Sequence, residues 1–80
     1  MSKAEWRDRD FKKHKHPPKD SYVMFKELAL PNGDVIARIE QFVTSDHCFY
    51  ATTPNDRSGC CSSYDWARQW CETMTGNKVN

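Results

Sequence analysis

The clearest pattern along the chain lies between Tyr22 and Val43, where apolar and polar positions alternate on either side of a turn signal. Tyr22-Val23-Met24-Phe25-Lys26-Glu27-Leu28-Ala29-Leu30 reads as a strand, and Val35-Ile36-Ala37-Arg38-Ile39-Glu40-Gln41-Phe42-Val43 reads as its return across Pro31-Asn32-Gly33-Asp34. Asn-Gly best satisfies the positive φ angles of a two-residue hairpin turn. A turn at Asn32-Gly33 sets Leu30 opposite Val35, Leu28 opposite Ala37, Lys26 opposite Ile39, Met24 opposite Gln41 and Tyr22 opposite Val43. That set is mostly apolar and predicts the face turned to the core. The other face pairs Ala29 with Ile36, Glu27 with Arg38, Phe25 with Glu40 and Val23 with Phe42, with Glu27 and Arg38 as a solvent-facing cross-strand pair. Thr44-Ser45-Asp46 turns the chain into a third strand, His47-Cys48-Phe49-Tyr50-Ala51-Thr52.

Beyond it the period changes. Thr53-Pro54-Asn55-Asp56-Arg57-Ser58-Gly59 has loop composition. Ser62 is placed as a helix N-cap with Asp65 in the first turn. Trp66, Ala67, Trp70, Cys71 and Met74 form a stripe about one helical face wide, and Gly76 is placed to end the helix. The Trp66/Trp70 face is expected to lie on the sheet, and burying two tryptophans contributes several kcal/mol at ~25 cal/mol per Å². Val23, Phe25, Ile36 and Phe42 then remain as an apolar patch on the uncovered side, which points to a partner or a dimer interface.

At the other end, Ser2 and Glu5 stand at capping-box spacing and predict a short helix over residues 3–14, stopped by Pro17-Pro18. Residues 1–20 thus read as a mobile or weakly helical arm pinned by Trp6 or Phe11, and residues 21–80 as a single α+β domain. The expected architecture is a three-stranded antiparallel sheet in the order β-β-β-α, with one C-terminal helix packed on one face.

Composition narrows the classes. Eighty residues support one core at most. No apolar run approaches the roughly 20 residues of a spanning helix, so no membrane role is expected. The net charge is +1, but residues 1–20 hold seven Lys/Arg against four acids, a basic arm on a slightly acidic body. The charged N-terminus lacks the apolar stretch of a secretory leader. That points to a host-cell cytoplasm, where reduced thiols are the favoured state of Cys48, Cys60, Cys61 and Cys71; the alternative that their even count allows is two disulfides, whose connectivity the sequence does not fix.

Candidate chemistry is sparse. His14, His16, His47 and the four cysteines have spacings unlike those of structural zinc sites, so neither metal nor cofactor is expected. His47 and Cys48 are strand neighbours pointing to opposite faces, which prevents them from acting as base and nucleophile. Gly33, Gly59 and Gly76 are too scattered to form a phosphate loop, and the chain reads as a non-enzyme. Two surfaces remain. In the arm, Arg7, Arg9, Lys12, Lys13 and Lys15 interleave with Trp6 and Phe11, a pattern that suits phosphates and stacked bases. On the sheet, Phe25, Arg38 and Phe42 flanked by Lys26, Glu27 and Glu40 resemble the anatomy of a protein interface. The alternative for that patch is that the arm folds back and covers it with Trp6 and Phe11.

An α-β-β-β-α order, with the arm counted as helical, resembles double-stranded-RNA-binding domains, although Cys61-Ser62-Ser63-Tyr64-Asp65-Trp66 stands where those domains carry lysines. Three strands and a helix holding Ser63-Tyr64-Asp65-Trp66-Ala67-Arg68-Gln69-Trp70 look like the DNA-binding modules of phage integrases, which use a more basic sheet. In size and architecture, residues 21–76 also resemble the small inhibitor proteins of phages and mobile elements, including anti-CRISPR proteins. That resemblance implies a non-enzymatic inhibitor, monomeric or homodimeric, that covers a site on a host protein or ribonucleoprotein complex. The alternative is a nucleic-acid-binding accessory protein using the basic arm.

Overall fold

The computed structural model describes residues 3–77. Among them, five strands form one antiparallel sheet in sequence order: β1 (Glu5–Asp8), β2 (Tyr22–Ala29), β3 (Val35–Phe42), β4 (Phe49–Thr52) and β5 (Arg57–Cys61). One helix, α1 (Tyr64–Thr75), follows and packs on one face against β3, β4 and β5. The expected antiparallel sheet and C-terminal helix are present, with five strands in place of three.

The two added strands have local causes. The segment expected as a helix over residues 3–14 forms β1 instead. Its polarity alternates with period two, placing Ala4 and Trp6 on the helix side and Arg7 on the other. Paired with β2, Arg7 stands opposite Glu27 and Asp8 opposite Lys26, so charge complementarity fixes the register. Lys26 donates to Asp8 at 2.7 Å on the helix side, away from the face it was expected to flank. Ser2, the expected helix cap, lies outside the described residues.

The stretch expected as a loop over 53–59 is a tight turn followed by β5. The Thr53 amide donates to the Asp56 carbonyl at 2.9 Å, and the Asp56 amide donates to Thr53 Oγ1 at 3.1 Å. Pro54 and Asn55 occupy the middle of this turn. Where the β4–β5 ladder is irregular, the Ala51 amide is satisfied by Ser58 Oγ at 2.9 Å.

The central hairpin keeps the expected register over five pairs, from Met24–Gln41 to Leu28–Ala37. Its ends differ. The Gly33 amide donates to the Leu30 carbonyl and the Leu30 amide to the Asp34 carbonyl, both at 2.8 Å, so the loop has three residues with Gly33 at φ 94°. This is a turn closed by a left-handed glycine, as in three-residue hairpins. Ile36 is the extra residue between the Ala29–Val35 and Leu28–Ala37 pairs, and it packs toward the helix side rather than the uncovered patch. At the far end, a second irregularity pairs Tyr22 with Phe42, which moves Tyr22 off its expected core face and leaves Val23 exposed.

The core between sheet and helix is built from small side chains. Leu28 and Ile39 are fully buried beside Ala37, Ala51, Cys61, Ala67 and Cys71. The helix cap is Ser63, not Ser62: its Oγ accepts from the Trp66 amide at 3.1 Å. At about 100° per residue, the residues turned to the sheet are Tyr64, Ala67 and Cys71. Trp66 lies on the far side of the helix, 59% exposed, while Trp70 packs at the flank of the core. Trp6 takes the expected place of a covering tryptophan, and its Nε1 donates to Glu72 at 3.0 Å. The thiol expectation is corrected as well. Cys48 and Cys60 form a disulfide tying the start of β4 to β5, whereas Cys61 and Cys71 are free and buried.

Candidate functional site

The sheet face opposite the helix holds five of the eight residues expected to bind a partner, Arg7, Arg9, Phe25, Arg38 and Phe42. Three cross-strand rows organise it. In the first, register places Arg7, Glu27, Arg38, Thr52 and Arg57 side by side, one from each strand. In the second, Phe25 stands opposite Glu40 and Glu40 opposite Tyr50. In the third, Tyr22 stands opposite Phe42.

The rings of the second and third rows form a continuous layer. Tyr22 lies 5.0 Å from Phe25 and 5.1 Å from Phe42, and Phe42 lies 5.9 Å from Tyr50. The arm covers one end. Phe11 meets Phe25 edge-on at 5.9 Å, and the Arg9 guanidinium sits 4.6 Å from the centre of the Phe25 ring, within the range of a cation–π contact. Phe25 is consequently 5% exposed, and Phe42 is half-buried. The expected open apolar patch is thus a covered aromatic layer. The arm does fold back onto it, with Phe11 and Arg9, while Trp6 goes to the opposite face.

Charge on this face is partly internal. The buried Glu27 carboxylate lies 3.4 Å from Arg9 Nη1 and 3.9 Å from Arg7 Nε. Such a buried carboxylate needs its partners, because an unpaired charge there is strongly destabilising. The Arg9 Nε is itself buried and has no hydrogen-bond partner among the described residues. Arg38, 48% exposed, meets Glu40 through Nε at 3.4 Å. Burial, then the neighbouring Glu40 carboxylate, holds the Tyr22 hydroxyl above its ordinary pKa.

Other cations on this side face solvent. The β1–β2 connection is shaped by Asp10, whose Oδ1 accepts from the amides of Lys12 at 2.9 Å and Lys13 at 3.4 Å. Lys12, Lys13, Lys15 and Lys19 project from it, exposed and with no carboxylate within 4 Å among the described residues. Arg57 is exposed and similarly unpaired. A groove of about 590 Å³ lies between the start of β3, from Val35 to Arg38, and the β4–β5 turn, from Thr52 to Arg57. A second, of about 740 Å³, lies between the arm and the start of β2 beside Lys12 and Lys19.

The structure therefore brings Arg7, Arg9, Phe25, Arg38 and Phe42 onto one face and leaves Lys12, Lys13 and Lys15 on the loop at its side. Sequence reasoning missed Arg57, Tyr22 and Tyr50. Arg57 was hidden in a segment of loop composition; the readable signal was Pro54-Asn55 as the centre of a hairpin, which makes Arg57 the strand partner of Thr52. Among the described residues, no three His, Cys, Asp or Glu side chains gather closely enough to hold a metal ion, and no helix is long and apolar enough to cross a membrane. Searches against protein-family profiles, curated proteins and solved structures find no match to this chain.

Proposed function

We propose that this chain is a small non-enzymatic binding protein that acts by occlusion. It is an inhibitor of the phage or mobile-element kind, anti-CRISPR-like, that seats on an anionic site of a host protein or ribonucleoprotein complex. The observation that carries this reading is the sorting of charge on the open face. Glu27 and Glu40 are engaged within the face, while Arg57 and four lysines are exposed and, among the described residues, have no carboxylate within 4 Å. The aromatic layer beneath supports this charge more than it offers rings for stacking, because Phe25 is buried, Trp6 is committed to the helix side and Tyr22, Phe42 and Tyr50 are half-buried. Contact is accordingly electrostatic, and inhibition follows from covering the site.

The test is capture from host lysate with and without nuclease. A defined protein complex retained after nuclease, and released by charge reversal at Arg38 and Arg57, supports the reading. Retention unaffected by both reversals contradicts it. A second reading, a nucleic-acid-binding accessory protein, is favoured by one observation: four unpaired lysines share a single loop. It requires that everything captured be lost on nuclease treatment. Affinity should also fall linearly with log salt, less steeply after Lys12, Lys13 and Lys15 are replaced by Ala.

A further inference from the structure

The first row of the open face alternates in charge until it reaches β4. Arg7 is followed by Glu27, Glu27 by Arg38, and then the position between Arg38 and Arg57 is held by Thr52. Thr52 is short and uncharged, and with Arg38 and Arg57 it lines the 590 Å³ groove between the start of β3 and the β4–β5 turn. At the other end of the row, Glu27 stands between Arg7 and Arg38, and its carboxylate is reached by Arg7 and by Arg9 of the adjacent row, while Arg38 turns to Glu40. We infer that the groove over Thr52 is a carboxylate seat. It takes an aspartate or glutamate side chain from an acidic segment of the protein partner, and so rests on the occlusion reading above.

The geometry fits that ligand. Strands lie about 4.8 Å apart, so the flanking arginines start roughly 10 Å apart, a span that two long side chains can close around one anion. Arg38 uses Nε on Glu40, and among the described residues neither Arg38 nor Arg57 has another carboxylate within 4 Å. Guanidinium forks match carboxylates through paired, charge-assisted hydrogen bonds, and the Thr52 hydroxyl adds a donor. Val35 and Pro54 give the groove an apolar wall for a methylene stem. No aromatic ring lines it, so nothing there stacks a base. Asp56 also lines the groove, and its charge opposes any anion there, a densely charged phosphate chain more than a single carboxylate.

The probe is a capped hexaglutamate peptide, titrated at low salt into the full-length protein labelled with ¹⁵N, with hexathymidylate titrated in parallel. Hexaglutamate is expected to move the Thr52 to Arg57 resonances saturably. Arg38→Gln and Arg57→Gln should each weaken it about tenfold, the loss of one charge-assisted contact. Asp56→Asn should tighten it, and the Lys12, Lys13 and Lys15 alanine variant should leave this groove's response unchanged. A dispersed spectrum verifies folding for each variant, and Arg57→Lys substitutes if Arg57→Gln does not fold, with the same expected weakening from loss of the planar fork. The inference is overturned if hexaglutamate perturbs only the lysine loop, or if hexathymidylate occupies the groove at least as tightly. It is also overturned if Asp56→Asn and both arginine variants leave binding unchanged. Its failure is separable from that of the occlusion reading, because lysate capture that survives nuclease yet ignores the groove variants removes only the seat.

Discussion

The two faces of this sheet bury themselves by opposite means. On the helix side the contact is made by small groups: Ala37 and Ala51 on the strands meet Ala67 and Cys71 on the helix, around Leu28 and Ile39. On the open side no second helix packs among the described residues, and large rings meet edge-on and tilted in a layer closed by Phe11 and Arg9 from the N-terminal segment. Small side chains let two elements approach closely and exclude water by backbone proximity. Aromatic rings allow a few side chains to cover a wide sheet without a second element. The difference teaches that the basic segment is part of the fold on both sides. Its Trp6 supports the helix and its Phe11 covers the rings, while its lysines remain outside both.

The strongest way to break that comparison is to test whether the aromatic layer is a core in its own right. Phe25→Ala should cost about 3–5 kcal/mol and Ile39→Ala about 2–5 kcal/mol in urea denaturation, since both remove buried volume. A loss below about 1 kcal/mol for Phe25→Ala would reduce the layer to surface cover and leave one core only. Next in size is the disulfide. Replacing Cys48 and Cys60 by Ser should destabilise by about 2–4 kcal/mol, because the link restricts the unfolded chain and holds β5 to β4. Equal urea midpoints for the two proteins would show that the ladder alone secures the edge.

A pH experiment sharpens the view of the helix side. Burial pushes the Cys71 thiol from 9.0 up to about 12. The folded state therefore keeps a proton that the unfolded state loses earlier. Its contribution is complete below about pH 9 and is lost as pH rises toward 12. Thiol labelling at pH 8 should be slow for the native protein and rapid in denaturant, and fast native labelling at Cys71 would show that the helix opens. The smallest effect is expected at Trp66, where Trp66→Ala should change stability by no more than about 0.5 kcal/mol.

Trp66 also marks where the sequence was hard to read. The stripe Trp66, Ala67, Trp70, Cys71 and Met74 identified the helix, but hydrophobicity alone favoured the largest residues as its buried side. Close approach selected Ala67 and Cys71 instead. The hairpin was more legible. Five central pairs followed from the Asn-Gly signal even though the turn has three residues, because the extra residue at Ile36 offsets the change in loop pairing. The two outer strands were the least legible. β1 is specified by the partners Glu27 and Lys26, which lie some twenty residues away, and β5 contains Ser58 and Gly59, which read locally as loop. On the face itself, Arg38, Phe25 and Phe42 were visible from alternation. Arg57 was not, because its place depends on a strand that composition concealed.

The most direct test of the central claim sets the two faces against each other in one binding measurement. Host lysate, treated with nuclease, is passed over three immobilised proteins: the native chain, a variant with Arg38→Glu and Arg57→Glu on the open face, and a variant with Trp66→Glu on the outer side of the helix. All three sites are exposed, so each variant should retain its fold by circular dichroism. The account predicts that native and Trp66→Glu proteins retain the same complex and that the arginine variant loses it. Loss with Trp66→Glu and retention by the arginine variant would place the working surface on the helix and contradict the account.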